Sequence, residues 1–215
     1  MNYLILADFG AATVIISFGA IMGKCNLFQL WIFATIEVVF YTLNEAISTQ
    51  IFGVKDIGGS MLIHTFGAYF GIAGSFFFQN VKALEDKEGR YTFNYYSAGI
   101  AMIGTTFLYL YWPSFNAALG VFGSQMHRAI INTLLASSTS VLSAVLFSRI
   151  CTNHLDMVVL INATLAGGAG IAGSADLISK PYGSMIVGFV VGAVATIGFT
   201  WAQPFIRNTL KIHDT

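Results

Sequence analysis

Asp56, Ser60 and His64 stand four residues apart inside an apolar, glycine-rich run from residue 55 to 71. On a helix that spacing stacks the three side chains along one face. Their types are a carboxylate that accepts hydrogen bonds, a hydroxyl, and an imidazole that can donate or accept without carrying charge. A charged residue at the centre of a bilayer costs at least ~2.5–3.5 kcal/mol, so such side chains face a bundle interior or a watery cavity. His64 lies about 12 Å further along a helix than Asp56, at 1.5 Å per residue. If Asp56 sits at a membrane surface, His64 is near the middle. Two roles stay open for each. Asp56 suits contact with a substrate, or an N-cap that accepts from exposed backbone N–H groups. His64 suits the wall of a passage, or an interhelical hydrogen bond that holds a bundle together.

Composition says what must position them. The chain has 215 residues, of which 56% are hydrophobic and 9% charged, with 19 Phe and 22 Gly. Soluble domains carry about 25% charged residues, and a soluble chain of this length could not hide so much apolar surface from water. The expectation is an all-α integral membrane protein, residues 1–215 forming one transmembrane domain. The formal net charge is zero, which leaves no basic face for nucleic acid. Cys25 and Cys151 sit near the ends of apolar runs and form no redox or metal-ligand pattern. Residues 1–23 are too long and too evenly apolar for a cleaved signal peptide.

A helix needs about 20 mostly apolar residues to span the hydrocarbon core. Seven stretches qualify: 3–23, 27–49, 57–79, 96–118, 128–150, 156–178 and 182–205. Breaks fall at Gly23-Lys24, Gly53-Val54-Lys55, the charged stretch 80–95, and Lys180-Pro181. Ends after odd-numbered spans carry Lys24, Lys82, Lys87, Arg90, Arg149, Arg207 and Lys211; the opposite side carries Lys55, Arg128 and Lys180. Seven of the ten basic residues on one side make that side cytoplasmic. Residue 1 then lies outside and residue 215 inside. Seven spans with an external start suggest a receptor, but the marks of that class are missing. No lysine lies between Pro181 and Arg207 to hold retinal, and the Asp-Arg-Tyr and Asn-Pro-x-x-Tyr motifs of hormone receptors are absent. Gly67 and Gly71 form a GxxxG step, and "NATLAGGAGIAGSAD" in the sixth span is richer still in small residues. Both are expected to let helix backbones approach closely. The Asn162-Ala-Thr164 sequon lies within a span and is discounted.

The segments "DIGGSMLIHTFGAYFG", "YWPSFNAALG", "HRAIINT", "LDMVVLINATLAGG" and "PYGSMIVGFVVG" resemble the Rh glycoproteins of the ammonium transporter/Rh superfamily, in the family's order and at its spacing. The resemblance runs from "LADF" at 6–9 to "KIHDT" at the end. It implies part of an eleven- or twelve-helix channel fold, assembled as a homotrimer in which each subunit has its own narrow hydrophobic pore. It implies a transporter rather than an enzyme, with no catalytic residue, cofactor or metal. Ammonium would be recruited and deprotonated at the entrance and neutral ammonia conducted, with methylammonium and CO2 as further permeants, across the plasma membrane. His64 matches the first of two histidines lining the middle of the pore, with Asp56 and Ser60 above it. Phe9 and Phe115 match two stacked phenylalanines that close the outer mouth, and Asn116 follows the second. Glu45 matches an acidic residue of the outer vestibule, and Asp156 one of the inner vestibule.

The residue types suit that chemistry. An ion in a narrow apolar passage meets a large desolvation penalty that a neutral amine does not. Aromatic faces at the mouth can hold a cation, and a neutral imidazole can hydrogen-bond ammonia without adding charge. With 19 Phe in the chain, most must face lipid or pack the interior, and only the resemblance selects Phe9 and Phe115. The family continues past "KIHDT" to an Asn-Leu-His-Gly segment with the second pore histidine. The expectation is therefore a fragment, lacking the first helices and that segment. The alternative function is a membrane scaffold of the same fold that transports nothing, or a CO2 channel; retention of His64, Asp56, Phe9 and Phe115 together favours transport over the scaffold.

Overall fold

A computed structural model describes residues 2–78 and 94–210. Most of the charged stretch 80–95, assigned above to the cytoplasmic side, lies outside the described residues. The described chain is helical, without a strand. Helix α1 spans Asn2–Ile21 and α2 Leu27–Ala46, continued by a π turn, Ile47–Ile51. A second π turn, Ser60–Thr65, leads into α3, Phe66–Phe77. Then follow α4 (Tyr95–Ala117), α5 (Ser124–Thr152), α6 (Met157–Ile171), α7 (Pro181–Ile197) and α8 (Gln203–Leu210). Five runs among the described residues are long and apolar enough to cross a membrane: Tyr3–Ile21, Leu27–Ile51, Ser124–Thr152, Met157–Ser174 and Pro181–Thr209. They coincide with the first, second, fifth, sixth and seventh expected spans. Helices also stand at the other two. The fourth, Tyr95–Ala117, is long but diluted by Tyr, Trp, Pro and Asn. The third begins at Ser60 rather than 57, because a turn at 56–59 precedes it.

The chain forms two compact units. The first contains α1, α2 and the chain from Met61 through α3. Here Gly67 and Gly71 do lie against α1. A Cβ on Gly67 would come 2.9 Å from the Thr13 carbonyl oxygen, and one on Gly71 2.9 Å from Ser17 Cα. Helix α2 opens on a capping box: Asn26 accepts from Gln29 N–H at 2.9 Å, and Gln29 accepts from Asn26 N–H at 3.0 Å. It then packs through rings, with the Phe33 centroid 5.0 Å from Phe70, 6.3 Å from Phe78 and 6.4 Å from Phe18.

The second unit contains residues Asp56–Ser60 and helices α4 to α7. Its core is small: Ala117, Ala129, Ala136, Ile171 and Ala175. Gly167 of α6, and Gly188 and Gly192 of α7, meet the backbone of α5 between Ala136 and Ser140. The stripe of small residues in the sixth span thus packs as expected. Ser140 donates to the Ala163 carbonyl of α6 at 2.6 Å, and Ser143 to the Phe189 carbonyl of α7 at 2.7 Å. Both units are polar inside and apolar outside. Thr13, Ser17, Thr133 and Ser140 are fully buried while Trp31, Phe107 and Leu142 are exposed, the distribution expected when the surrounding solvent is lipid.

Candidate functional site

The Asp56 end of the Asp56–His64 motif is a strap across the end of a helix. Asp56 does not sit on a helix with Ser60 and His64, which corrects the single-face stacking expected from their spacing. Gly59 takes φ +79°, a conformation that ends helical continuation toward Asp56. The strap instead ties to the C-terminal end of α6, where carbonyls lack helical partners. Gly58 N–H donates to the Ala172 carbonyl at 3.1 Å. The Ser60 hydroxyl donates to the Ala169 carbonyl at 2.5 Å and accepts from Gly173 N–H at 2.7 Å. Asp56 Oδ1 accepts from Ser60 N–H at 2.8 Å, so the capping reading of Asp56 is realised in kind. A Cβ at Gly173 would stand 2.8 Å from that same oxygen and would push the carboxylate aside.

Asn116 is fully buried beside the strap. Its amide donates at 3.0 Å both to Thr133 Oγ1 of α5 and to the Gly168 carbonyl of α6, so one side chain of α4 ties three helices. Its Oδ1 faces Gly58, where a Cβ would come within 2.6 Å. Phe115, half-buried, tilts against Trp112 with centroids 6.0 Å apart. Asp156 is the N-cap of α6, accepting from Val158 N–H at 2.8 Å. Thus Asp56, Ser60 and Asn116 come together at the strap, while Asp156 is at the far end of α6.

His64, Phe9 and Glu45 belong to the first unit. His64 is half-buried in the second π turn, beside buried Leu62 and Ile63, and its Nε2 is shielded from the surface. π turns inside helices often mark functional sites because they re-aim a side chain. Phe9 is buried, and its carbonyl accepts from Thr13 Oγ1 at 2.9 Å. Glu45 is half-buried one residue before the end of α2. In the short connection between α1 and α2, burial pushes the Cys25 thiol above its ordinary value while the Lys24 charge works the other way. The raised value works against thiolate formation at Cys25.

The sequence reading missed Glu37, the one carboxyl group among the fully buried side chains of the described residues. It contacts the Ser17 hydroxyl of α1. Its signal was available, since an ionisable residue within an apolar span marks a site by default. Also missed was the cluster in which Gln125 donates to Asp176 Oδ2 at 2.7 Å, and Arg128 donates to the Asp176 carbonyl at 3.1 Å.

Residues 2–215 match the family model described as the Ammonium Transporter Family. Ammonium transporter Rh type C of Rattus norvegicus is 45% identical over 214 residues, covering 99% of this chain and 43% of the relative. The Homo sapiens Rh type C protein is 44% identical, covering 99% and 44%. This chain therefore spans less than half the length of these curated relatives. Among solved structures, Rh50 of Nitrosomonas europaea, described with the Rhesus protein family of channels, superimposes with a TM-score of 0.90 at 32% identity, over 100% of this chain and 57% of that one. A sensor Amt protein superimposes with a TM-score of 0.79 at 23% identity, covering 96% and 53%, a likeness of fold. The channel fold, the membrane location and the non-enzymatic character all agree: the chain belongs to the ammonium transporter family.

Proposed function

We propose that the protein carrying this sequence passes ammonia across the plasma membrane through a narrow apolar pathway. Ammonium is recruited at the outer mouth and gives up its proton before neutral ammonia moves past His64. The observation that carries this reading is His64 itself, an imidazole held half-buried in a π turn with Nε2 enclosed, next to buried Leu62 and Ile63. Such surroundings disfavour a passing cation by desolvation and let a neutral ring exchange hydrogen bonds with ammonia. In the family's pattern Phe9 and Phe115 match the outer aromatic mouth, Glu45 the outer vestibule and Asp156 the inner one. The side holding Lys24 and Arg149 is cytoplasmic. Asp56, Ser60 and Asn116 support the pathway by fixing the strap from which the His64 turn starts, since Asp56 Oδ1, the Ser60 hydroxyl and the Asn116 N–H groups bond within the fold. Homotrimeric assembly in lipid, and passage of methylammonium or CO2, belong to the same proposal.

The test is flux and current recording on vesicles or oocytes carrying the protein. His64→Ala lowers ammonia flux and leaves membrane insertion intact. His64→Glu places a carboxylate in the pathway and makes methylammonium transport electrogenic. If His64→Ala conducts like wild type and His64→Glu carries no new current, the scaffold reading replaces this one.

A further inference from the structure

The first unit contains a hydrogen-bond chain with one more acceptor than its protons allow if Glu37 is ionised. The Ser17 hydroxyl on α1 lies 2.8 Å from the Gly67 carbonyl on α3 and in contact with Glu37 Oε1 on α2. A serine hydroxyl has one proton to give, and a backbone carbonyl can only accept. The Ser17 proton therefore goes to Gly67, and the bond to Glu37 needs a donor on the glutamate side. Glu37 is fully buried, and its Oε2 meets no donor among the described residues. A carboxylate there would be an uncompensated buried charge, whereas a carboxylic acid gives its proton to Ser17 Oγ and completes the chain.

We infer that Glu37, as a neutral acid, donates to Ser17 and through it pins Gly67, fixing the register of the π turn that aims His64. Gly67 is three residues past His64, one helical turn on. A π turn holds one residue more than an α turn, so a relaxation that expelled this residue would rotate His64 by ~100° about the helix axis. Anchoring the carbonyl just after the turn opposes that slip. Glu37 is thus a positioning residue, which touches no permeant. The role of His64 rests on the function proposed above; the protonation state of Glu37 does not.

Three variants test this. Glu37→Gln keeps a neutral donor of the same shape and is expected to retain ammonia flux and the preference for ammonia over methylammonium. Glu37→Leu and Ser17→Ala break the chain and are expected to lower flux several-fold and blur that preference, while the protein remains monodisperse in detergent. Infrared spectra of the wild type should show the carbonyl stretch of a protonated carboxylic acid, absent from Glu37→Gln. The inference is overturned if Glu37→Gln loses as much flux as Glu37→Leu, which would mean that the charge is needed. It is also overturned if the carboxylic acid band is missing from the wild type, or if Ser17→Ala leaves selectivity untouched. Should the protein conduct no ammonia at all, the proposed function fails, and a persisting Glu37 band would still uphold the neutral acid. Loss of that band would overturn it.

Discussion

In the first unit the helices α2 and α3 meet through rings, whereas in the second α5 meets α6 and α7 through backbone. Phe33 reaches Phe18, Phe70 and Phe78 at centroid distances of 5.0–6.4 Å. In the second unit Gly167, Gly188 and Gly192 bring main chain onto main chain, and serines bond across the seam. Lipid tails are as apolar as leucine, so neither arrangement gains from hiding apolar surface, and both rely on close packing and hydrogen bonds. Rings can shift and still touch, while two backbones in contact have nothing left to move. The first leaves the α2 side of α3 adaptable, while Gly67 and Gly71 hold the other side of α3 backbone-close to α1 and so fix the helix that follows the His64 turn. The second suits a rigid wall that anchors the strap.

The sharpest way to break this contrast is to add side-chain volume to a backbone seam. Gly188→Leu puts a Cβ onto the Ala136 carbonyl oxygen and within 2.6 Å of Ala136 Cα. Overpacking costs about 1–3 kcal/mol, occasionally more, and a backbone obstacle puts this variant at or above the upper limit. Gly99→Leu is the control, because a Cβ there meets nothing within 4 Å. Thermal unfolding in detergent should show Gly188→Leu unfolding well below wild type, with Gly99→Leu close to it. Equal midpoints for the two variants would show that the backbone seam of the second unit tolerates added volume as well as its open surface does.

How much of this was legible follows from the same physics. Long apolar runs report spans directly, and the helices at Tyr3–Ile21 and Ser124–Thr152 stand where hydropathy put them. Small residues at GxxxG spacing report close approach, as Gly67 and Gly71 confirm. The strap was not legible, because glycine inside an apolar run is compatible with a membrane helix. The strap's partner is distant: Gly173, whose N–H donates to Ser60, lies 113 residues away in sequence. Asn116 was selectable only by family resemblance, since its partners Thr133 and Gly168 lie 17 and 52 residues away. Glu37 could be picked out by its charge alone, but its partner Ser17 lies on another helix, and no local pattern names it.

An intermediate effect is expected from the rings. Phe33→Ala removes three aromatic pairs, each worth ~0.5–1.5 kcal/mol, and lipid filling the gap returns part of that. A net loss of about 2 kcal/mol is expected. Phe33→Leu should recover much of it, because a flexible neighbourhood accepts a different apolar shape. Denaturant titration of the two variants measures the difference. If Phe33→Leu is as damaging as Phe33→Ala, the first unit is as intolerant as the second, and ring packing does not confer adaptability.

The smallest effect separates backbone approach from hydrogen bonding within the second unit. Ser143 donates to the Phe189 carbonyl at 2.7 Å, but Phe189 lies inside α7, where its carbonyl also has a helical N–H partner. Ser143→Ala therefore leaves no acceptor stranded, and interhelical hydrogen bonds in membranes average ~0.6 kcal/mol. Asn132 is the contrast. It donates at 2.8 Å to the Ala175 and Ile178 carbonyls, both beyond the last turn of α6 and before α7. Asn132→Ala leaves two carbonyls without that donor, which should cost about 1–3 kcal/mol. Unfolding of both variants under identical detergent conditions gives the ratio. A Ser143→Ala loss as large as that of Asn132→Ala would mean that the serine bonds hold α5 to α7. A loss below about 1 kcal/mol would leave the glycine contacts as what joins them.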